Sequence, residues 1–218
     1  MIFINFKAYR EGFGKNALEL AKIAEKVAER SGVYIAVAVN HLDLPVIAKS
    51  VCIDVFAQHI DAVEFGSYTG AVNAEMIKEY GAKGSLINHS ERRLKLADID
   101  FCVSKLKKLN MTSIVCTNNV ATTAAVSALK PDFVAVEPPE LIGSGIAVSK
   151  AEPEVVERAV ASAKKICKEV KVLCGAGITK HEDYVRALEL GADGVLLASG
   201  VVKAKDQKKA LEELVGLS

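Results

Sequence analysis

Apolar and polar residues alternate along the chain in two different patterns. In the first, eight short runs are almost continuously apolar and rich in β-branched residues, as expected of parallel strands that are buried on both faces. These runs are Ile2–Asn5, Tyr34–Val39, Val55–Gln58, Ser85–Asn88, Ser113–Cys116, Phe133–Glu137, Val172–Cys174 and Gly194–Leu197. The pattern therefore predicts eight buried parallel strands.

The longer segments between these runs have the period of amphipathic helices, with apolar residues three or four positions apart. Pro153 stands at an expected helix entrance, where a missing N–H costs little. Gly191 stands where a helix is expected to end. The predicted helices are Asn16–Arg30, Pro153–Glu169, Thr179–Leu190 (with Thr179 as its cap) and Asp206–Leu214.

A strand followed by a helix is the unit that repeats along all 218 residues. Eight such units of about 27 residues favour an α/β fold of the (β/α)8 barrel type over a doubly wound sheet. No linker-like stretch divides the chain, so residues 1–218 are expected to form a single domain. A typical barrel has ~250 residues, so we expect trimmed segments around Asp43–Lys49 and after Arg93.

Composition and charge argue against several classes of function. The net charge is +1, from 28 basic and 27 acidic side chains, and tryptophan is absent, so nothing indicates a nucleic-acid partner. The five cysteines form no Cys-x-x-Cys motif, which predicts reduced thiols. No leader-like segment and no apolar run near the ~18 residues of a membrane span are visible, which predicts a cytoplasmic protein without a membrane partner. The spacing of His41, His59 and His181 predicts no metal site.

Polar residues gather where the predicted strands end, and a (β/α)8 barrel builds its active site at that end. Asn5 and Lys7 stand at the end of the first strand, His89 follows the fourth, and Glu137 ends the sixth. A histidine and a carboxylate brought together in this way suit proton transfer. Each residue also has a structural explanation: Lys7 as a solvated lysine, His89 as part of a helix N-terminus, and Glu137 in a surface ion pair.

The local sequence suggests how two of these residues would act. His89 opens a predicted helix start at Ser90–Arg93, and the positive end of a helix favours a neutral imidazole. A neutral imidazole can donate one proton and accept another. Glu137 can act as a general base if its carboxylate is partly desolvated.

Loops at the same end indicate a lid and a phosphate site. A rigid Pro-Pro step and a flexible Gly-x-Gly bound the expected lid, which consists of Pro138, Pro139, Glu140, Leu141, Ile142, Gly143, Ser144 and Gly145. Glycine-containing turns after the seventh and eighth strands can offer backbone N–H groups to a phosphate. The residues of those turns are Gly175, Ala176, Gly177, Ala198 and Ser199.

Taken in order, these motifs resemble the triosephosphate isomerase family over essentially the whole chain, in its short archaeal form. The matching residues are Asn5-x-Lys7, Gln58, Tyr68-Thr69-Gly70, His89 to Arg93, Cys116, Glu137-Pro138 and Ile142 to Gly145. The combination is specific, although each motif alone is not. The resemblance implies a TIM barrel that interconverts dihydroxyacetone phosphate and D-glyceraldehyde 3-phosphate without a cofactor, in glycolysis and gluconeogenesis.

The resemblance also implies roles, which are those already established for the family. Glu137 would move the carbon-bound proton, and a neutral His89 would move a proton between the two oxygens of the enediol(ate). Lys7 and Asn5 would stabilise the oxyanion, with Glu91 as a supporting carboxylate. The implied substrate and phosphate contacts are Asn5, Lys7, Ile142, Gly143, Gly175, Ala176, Gly177, Ala198 and Ser199.

The chain departs from the common family pattern in four places, one of them being Ala198-Ser199, which aligns with the usual Gly-Gly after the eighth strand. Asn88 stands where most members have glycine, and Glu140 replaces the usual tryptophan of the lid. Gly177 aligns with a phosphate-binding serine, so that hydroxyl is missing. These changes leave the implied acid–base residues in place.

A loop over Phe65–Val72 resembles the loop that joins subunits in this family. It contains Tyr68, Thr69 and Gly70, with Thr69 at its tip. The resemblance implies at least a homodimer, in which Thr69 would reach the neighbouring site. The short archaeal form implies a homotetramer.

Two alternative functions stay open. One is another phosphate-binding barrel, such as a relative of phosphoribosyl-anthranilate isomerase or indole-glycerol-phosphate synthase. The last two loops fit such a barrel, but the segment from Asn88 to Arg93 does not. The other is a barrel that binds sugar phosphate as a regulator without catalysis, although Lys7, His89 and Glu137 are all present.

Overall fold

Eight parallel strands close into a barrel in the computed structural model, which describes residues 1–138, 152–175 and 177–217. The strands are β1 (Ile2–Asn5), β2 (Ile35–Val39), β3 (Val55–Ala57), β4 (Gly84–Ile87), β5 (Thr112–Thr117), β6 (Phe133–Val136), β7 (Lys171–Gly175) and β8 (Gly194–Leu197). Each strand pairs with the next in sequence, and β8 pairs with β1. The predicted (β/α)8 barrel is therefore confirmed, and each predicted strand is present within one residue at either end.

Helices follow the strands around the outside. They are α1 (Lys15–Ser31), α2 (Leu44–Ala48), α3 (Ala74–Glu79), α4 (Leu96–Lys108), α5 (Val120–Ser127), α6 (Pro153–Ile166), α7 (His181–Glu189), α8 (Ser199–Val202) and α9 (Gln207–Val215). The four predicted helices are confirmed as α1, α6, α7 and α9, with ends shifted by at most three residues. In the described ranges, no helix is long and apolar enough to cross a membrane.

Two expectations about the helices need correction. The segment around Asp43–Lys49 is trimmed as predicted, because α2 has 5 residues, but α4 after Arg93 has 13 residues and is not short. Thr179 does not cap α7. Instead, Asp183 in the first turn of α7 accepts hydrogen bonds from the backbone N–H groups of Thr179 and Lys180, at 3.1 and 3.0 Å.

Strand residues alternate between two apolar layers. One layer fills the barrel interior, where the ring of Phe3 packs edge-on against Phe56 and Phe133 at centroid distances of 5.5 and 5.2 Å. The other layer lies between the sheet and the helices and includes Ile2 and Ile4, the neighbours of Phe3 in sequence. Because successive side chains of a strand point to opposite faces, every second residue faces the interior.

The same alternation brings polar and small residues to the mouth of the barrel. Phe3, Ala135 and Leu173 belong to the interior layer. Two residues after each of them stand Asn5, Glu137 and Gly175, at the carboxyl ends of β1, β6 and β7. Strand period and strand length together therefore place the candidate chemistry at one end of the barrel.

Candidate active site

One cavity opens at the carboxyl ends of the strands and brings together residues that are far apart in sequence. Lys7, His89 and Glu137 all line it, together with Asn5. Gly177, Ala198 and Ser199 from the predicted phosphate turns line it as well. The structure thus groups the acid–base candidates with part of the expected phosphate site.

Glu137 is a buried carboxylate at the end of β6. It is 5 % exposed, and its Oε2 atom has no hydrogen-bond partner among the described residues. Beneath it, burial raises the pKa of the Cys116 thiol well above its usual range, and the negative charge of Glu137 raises it further. The thiol therefore stays protonated beside the carboxylate of Glu137.

His89 is hydrogen-bonded by its neighbour in the chain. Its Nδ1 atom accepts a hydrogen bond of 3.2 Å from the backbone N–H of Glu91. In a neutral imidazole the accepting nitrogen carries no hydrogen, so the hydrogen lies on Nε2. The Nε2 atom is 3.7 Å from Oε1 of Glu137, with both side chains 7 % exposed. A donor and a carboxylate therefore converge on the same part of the cavity.

The expected helix start at Ser90–Arg93 is wrong. These residues form a single turn, closed by a 2.8 Å hydrogen bond from the Arg92 N–H to the carbonyl of His89, and α4 begins only at Leu96. A helix dipole therefore does not act on His89.

Asn88 explains why the chain turns at this point. Its φ is 60°, in the left-handed region that asparagine tolerates better than most residues and glycine tolerates best. Its Nδ2 donates to the carbonyl of Cys116 at 2.9 Å, and its Oδ1 accepts from the N–H of Leu94 at 2.8 Å. The Asn88 side chain thus stabilises the turn that its own backbone conformation begins.

Lys7 adopts a strained backbone that its surroundings hold in place. Its φ is 50°, a conformation that costs a non-glycine residue about 1–3 kcal/mol. Its N–H donates to Oδ1 of Asn5 at 2.9 Å, and its carbonyl accepts from Nε2 of Gln58 at 3.0 Å. Its ammonium group, 2.8 Å from Oε1 of Glu91, stays on a side chain that is only 10 % exposed. Strain of this kind at a cavity indicates a positioned cation and not a solvated lysine.

Gly175 leaves room for the carboxylate of Glu137. A Cβ atom at this position would lie 2.2 Å from Cγ and 3.0 Å from Cδ of Glu137. Real Cβ atoms do not approach so closely, so any larger residue would push the carboxylate away. Gly175 therefore fixes the position of Glu137 by its lack of a side chain.

Gly175→Ala is accordingly expected to lower kcat by about 10²-fold, because a shift of ~1 Å in a reacting group costs that much. Steady-state kinetics on the folded variant checks this. The matched control is Gly14→Ala, whose added Cβ meets no atom within 4 Å. Because the φ of Gly14 is 62°, alanine at this position lowers the stability of the fold but does not alter the cavity. Wild-type kcat in Gly175→Ala would contradict the positioning role.

The described structure covers only part of the expected phosphate site and lid. Gly177 has a φ of 71° and lines the cavity, as do Ala198 and Ser199. Pro138 is described and buried. Outside the described residues lie Ala176 and the remaining lid residues Pro139, Glu140, Leu141, Ile142, Gly143, Ser144 and Gly145.

Comparison with known proteins gives a consistent result. A family model described as "Triosephosphate isomerase" matches residues 1–215. The chain belongs to the triosephosphate isomerase family. It is 75 % identical over 217 residues to the triosephosphate isomerase of Archaeoglobus fulgidus, covering 100 % of this chain and 97 % of that one. It is 61 % identical over 215 residues to that of Methanothermus fervidus, covering 99 % and 97 %. The predicted resemblance to this family of aldose–ketose isomerases is therefore confirmed.

A solved triosephosphate isomerase, from Bartonella henselae, has the same fold. It superimposes with a TM-score of 0.78 at 19 % sequence identity, over 97 % of both chains. At this identity the likeness supports the barrel architecture alone.

The loop over Phe65–Val72, which is expected to join subunits, is exposed. Tyr68, Thr69 and Gly70 lie at the surface and do not line the cavity of their own chain. At the base of the loop, the N–H of Asp61 donates to the carbonyl of Val72, and the N–H of Val72 donates to Oδ2 of Asp61, both at 2.8 Å. These two bonds close the loop at its ends.

An ionic contact also ties the residue just before this loop to two helices. The ammonium group of Lys105, on α4, contacts the carboxylates of both Glu64, which precedes the loop, and Glu75 on α3. These contacts raise the pKa of Lys105, first through Glu64. The loop is thus tethered to two helices of its own subunit.

Several residues that line the cavity were not among the predicted site residues. They are Tyr9, Ile178, Thr179, Leu196, Leu197 and Gly200. Five of them follow β7 or lie at β8, at the end of the barrel that was already expected to form the site. Their position in the sequence could therefore have indicated them. Tyr9 gave no such signal, because it belongs to an irregular segment between β1 and α1.

Proposed function

We propose that this protein interconverts dihydroxyacetone phosphate and D-glyceraldehyde 3-phosphate by proton transfer through an enediol(ate), without a cofactor. The observation that carries the proposal is the convergence of His89 and Glu137, at 3.7 Å, in a cavity that also contains Lys7. The reaction would take place in one catalytic domain in the cytoplasm, as a step of glycolysis and gluconeogenesis.

Glu137 is the proposed base. Its carboxylate removes a proton from C1 of dihydroxyacetone phosphate, and the electron pair of the broken C–H bond forms the C1–C2 double bond of the enediolate. The negative charge moves to the oxygen on C2. Glu137 then returns its proton to C2 and yields the aldehyde. Burial supports this role, because a carboxylate at 5 % exposure is poorly solvated by water.

His89 is the proposed proton shuttle between the two oxygens. Its Nε2–H donates to the oxygen on C2, and Nε2 then takes up the proton of the oxygen on C1. The bond from the Glu91 N–H to Nδ1 supports this role, since it keeps the exchangeable hydrogen on the nitrogen that faces Glu137.

Lys7 is the proposed electrostatic partner of the enediolate. Its ammonium group would stabilise the oxyanion as charge develops, and Asn5 would fix the Lys7 backbone through the 2.9 Å bond to its N–H. Glu91 supports both groups, since its carboxylate contacts the Lys7 ammonium and its N–H contacts His89.

The phosphate is the part of the substrate by which the protein is proposed to bind it. Backbone N–H groups of Gly177, Ala198 and Ser199 line the cavity and are candidates for its oxygens, together with Gly175, Ala176, Ile142 and Gly143. The segment Pro138–Gly145 is the proposed lid that excludes water from the enediolate, which would otherwise lose phosphate. Binding energy from the phosphate would favour closure, since the phosphate is remote from the reacting carbons.

A coupled assay with D-glyceraldehyde 3-phosphate tests the proposal against its alternatives. Turnover of this substrate supports the isomerase. Turnover of phosphoribosyl anthranilate or of the indole-glycerol-phosphate precursor instead would identify another phosphate-binding barrel. Binding of triose phosphate without turnover of any of these would identify a regulatory sugar-phosphate binder.

The proposed assembly is at least a homodimer, with a homotetramer expected. Phe65 and Tyr68 on the exposed loop are 66 % and 53 % exposed, an unusual position for large apolar side chains. Beside the cavity of each chain lies an open groove lined by Asn5, Lys7, Gln58, His59, His89 and Glu91, among others. The loop of a second copy, with Thr69 of the partner subunit at its tip, would fill this groove.

Lys105→Met is expected to weaken association roughly threefold or more, because the loop loses its tether to α3 and α4. Sedimentation velocity and the dilution dependence of activity measure the effect. Lys108→Met is the matched control, since Lys108 is exposed on the same helix and makes no ion pair with a described residue. Equal dissociation constants for the two variants would show that the tether does not act on assembly.

A further inference from the structure

Tyr9 lines the same cavity as residues of the expected phosphate turns. These residues include Gly177, Ala198 and Ser199. The ring is partly buried, and its hydroxyl makes no hydrogen bond with any described residue. A phenol in a cavity wall without a partner of its own can donate a hydrogen bond to a bound ligand.

Backbone packing fixes the position of this tyrosine against α8. The carbonyl of Tyr9 accepts a 3.0 Å hydrogen bond from the N–H of Gly12, which closes a short 3-10 turn over Arg10–Gly12. A Cβ atom at Gly12 would lie only 3.1 Å from Cγ1 of Val202, so this turn packs closely on α8. The segment after β1 is thus joined to the wall that follows β8.

The ring itself is held by Lys203, the residue that directly follows α8. The ammonium nitrogen of Lys203 lies 5.4 Å from the centroid of the Tyr9 ring, within the range of a cation–π contact. Lys203 does not line the cavity, so it acts on a ligand only through Tyr9 or through its charge at a distance.

The expected ligand carries a phosphate group, whose negative charge favours hydrogen-bond donors around it. Among the described residues that line the cavity, Lys7 is the one with a cationic side chain. A phenolic hydroxyl in this lining adds a side-chain donor to the backbone N–H groups, and charge-assisted hydrogen bonds to phosphate are among the stronger ones.

We propose that Tyr9 donates its phenolic hydrogen to the phosphate group of the substrate, and that Lys203 is a positioning residue that holds the ring for this contact. The proposal rests on the proposed isomerase function and names a contact within that same site. It connects the segment that carries Lys7 with the phosphate end of the cavity.

Tyr9→Phe tests the hydroxyl, because it keeps the ring and its contact with Lys203. KM for D-glyceraldehyde 3-phosphate and the dissociation constant of inorganic phosphate are both expected to rise on the order of 10-fold, while kcat changes less than about threefold. Steady-state kinetics gives the first constant and titration calorimetry gives the second. Wild-type values of both constants in Tyr9→Phe would overturn the proposal.

Lys203→Met tests the positioning role. It is expected to raise the same two constants about two- to fivefold, and Lys203→Arg is expected to restore them, since a guanidinium also stacks on an aromatic face. Lys205→Met is the control, because it removes the same charge from the next exposed lysine without touching Tyr9. An equal rise in Lys205→Met would show that only net charge matters and would overturn the role of Lys203.

The two readouts separate this proposal from the function it rests on. If the wild-type protein does not turn over triose phosphate, the isomerase function fails. Titration calorimetry with inorganic phosphate still compares the dissociation constants of the wild type and Tyr9→Phe. If the wild type is active and Tyr9→Phe binds phosphate and substrate equally well, only the role of Tyr9 fails.

Discussion

Replacing Glu137 with aspartate is expected to lower kcat by about 10²- to 10³-fold while KM changes little. The shorter side chain withdraws the carboxylate by about one methylene from the carbon-bound proton. Gly175, which packs against Glu137, has no side chain that could shift and push the shorter carboxylate back toward the substrate. Substrate binding depends mainly on the phosphate, so the loss should appear in the chemical step.

Steady-state kinetics in both directions measures this effect. Glu157→Asp is the matched control, because it makes the same change at an exposed position on α6. The control should keep wild-type kcat. A Glu137→Asp variant with wild-type kcat would mean that another group removes the proton.

Lys7→Ala is expected to raise KM and lower kcat together, with kcat/KM reduced by about 10³-fold or more. Among the described residues that line the cavity, Lys7 is the one with a cationic side chain. Its loss therefore removes a positive charge that attracts the bound substrate and stabilises the developing oxyanion. The strained φ of 50° is relieved only in part, because alanine also disfavours this conformation.

Lys22→Ala serves as the control for Lys7→Ala, since Lys22 is exposed on α1 and loses the same charge. Its kinetics should match the wild type at any ionic strength. Unchanged kinetics in Lys7→Ala would return this residue to the role of an ordinary surface lysine.

The strand pattern was sufficient to predict the barrel and the end at which its site lies. Continuous apolar runs predicted buried parallel strands, and the strand period placed Asn5 and Glu137 at the interior mouth. Both results depend on short-range regularity, which a sequence displays directly. The helix ends were also close to prediction, because Pro153 and Gly191 have strong local preferences.

Local contacts decided what the sequence left undetermined. The helix expected at Ser90–Arg93 is absent because Asn88 adopts a left-handed conformation and hydrogen-bonds to backbone groups beyond its neighbours. The helix dipole expected to act on His89 is absent, and the backbone N–H of Glu91 bonds its Nδ1 instead.

Long-range packing was equally invisible in the sequence. The fit of Gly175 against Glu137 joins residues on two strands, and the contact of Lys203 with Tyr9 joins residues 194 positions apart. Neither pair has a sequence pattern of its own. Such contacts follow from the closure of the barrel, which brings the first and last strands side by side.

The most direct test of the account is the isomerisation of D-glyceraldehyde 3-phosphate by the purified protein, with Glu137→Gln measured in parallel. The account predicts fast turnover by the wild type and its loss in Glu137→Gln, while inorganic phosphate still binds to both. Turnover that survives in Glu137→Gln would contradict the assignment of the base. Absence of turnover in the wild type, with phosphate still bound, would contradict the proposed function itself.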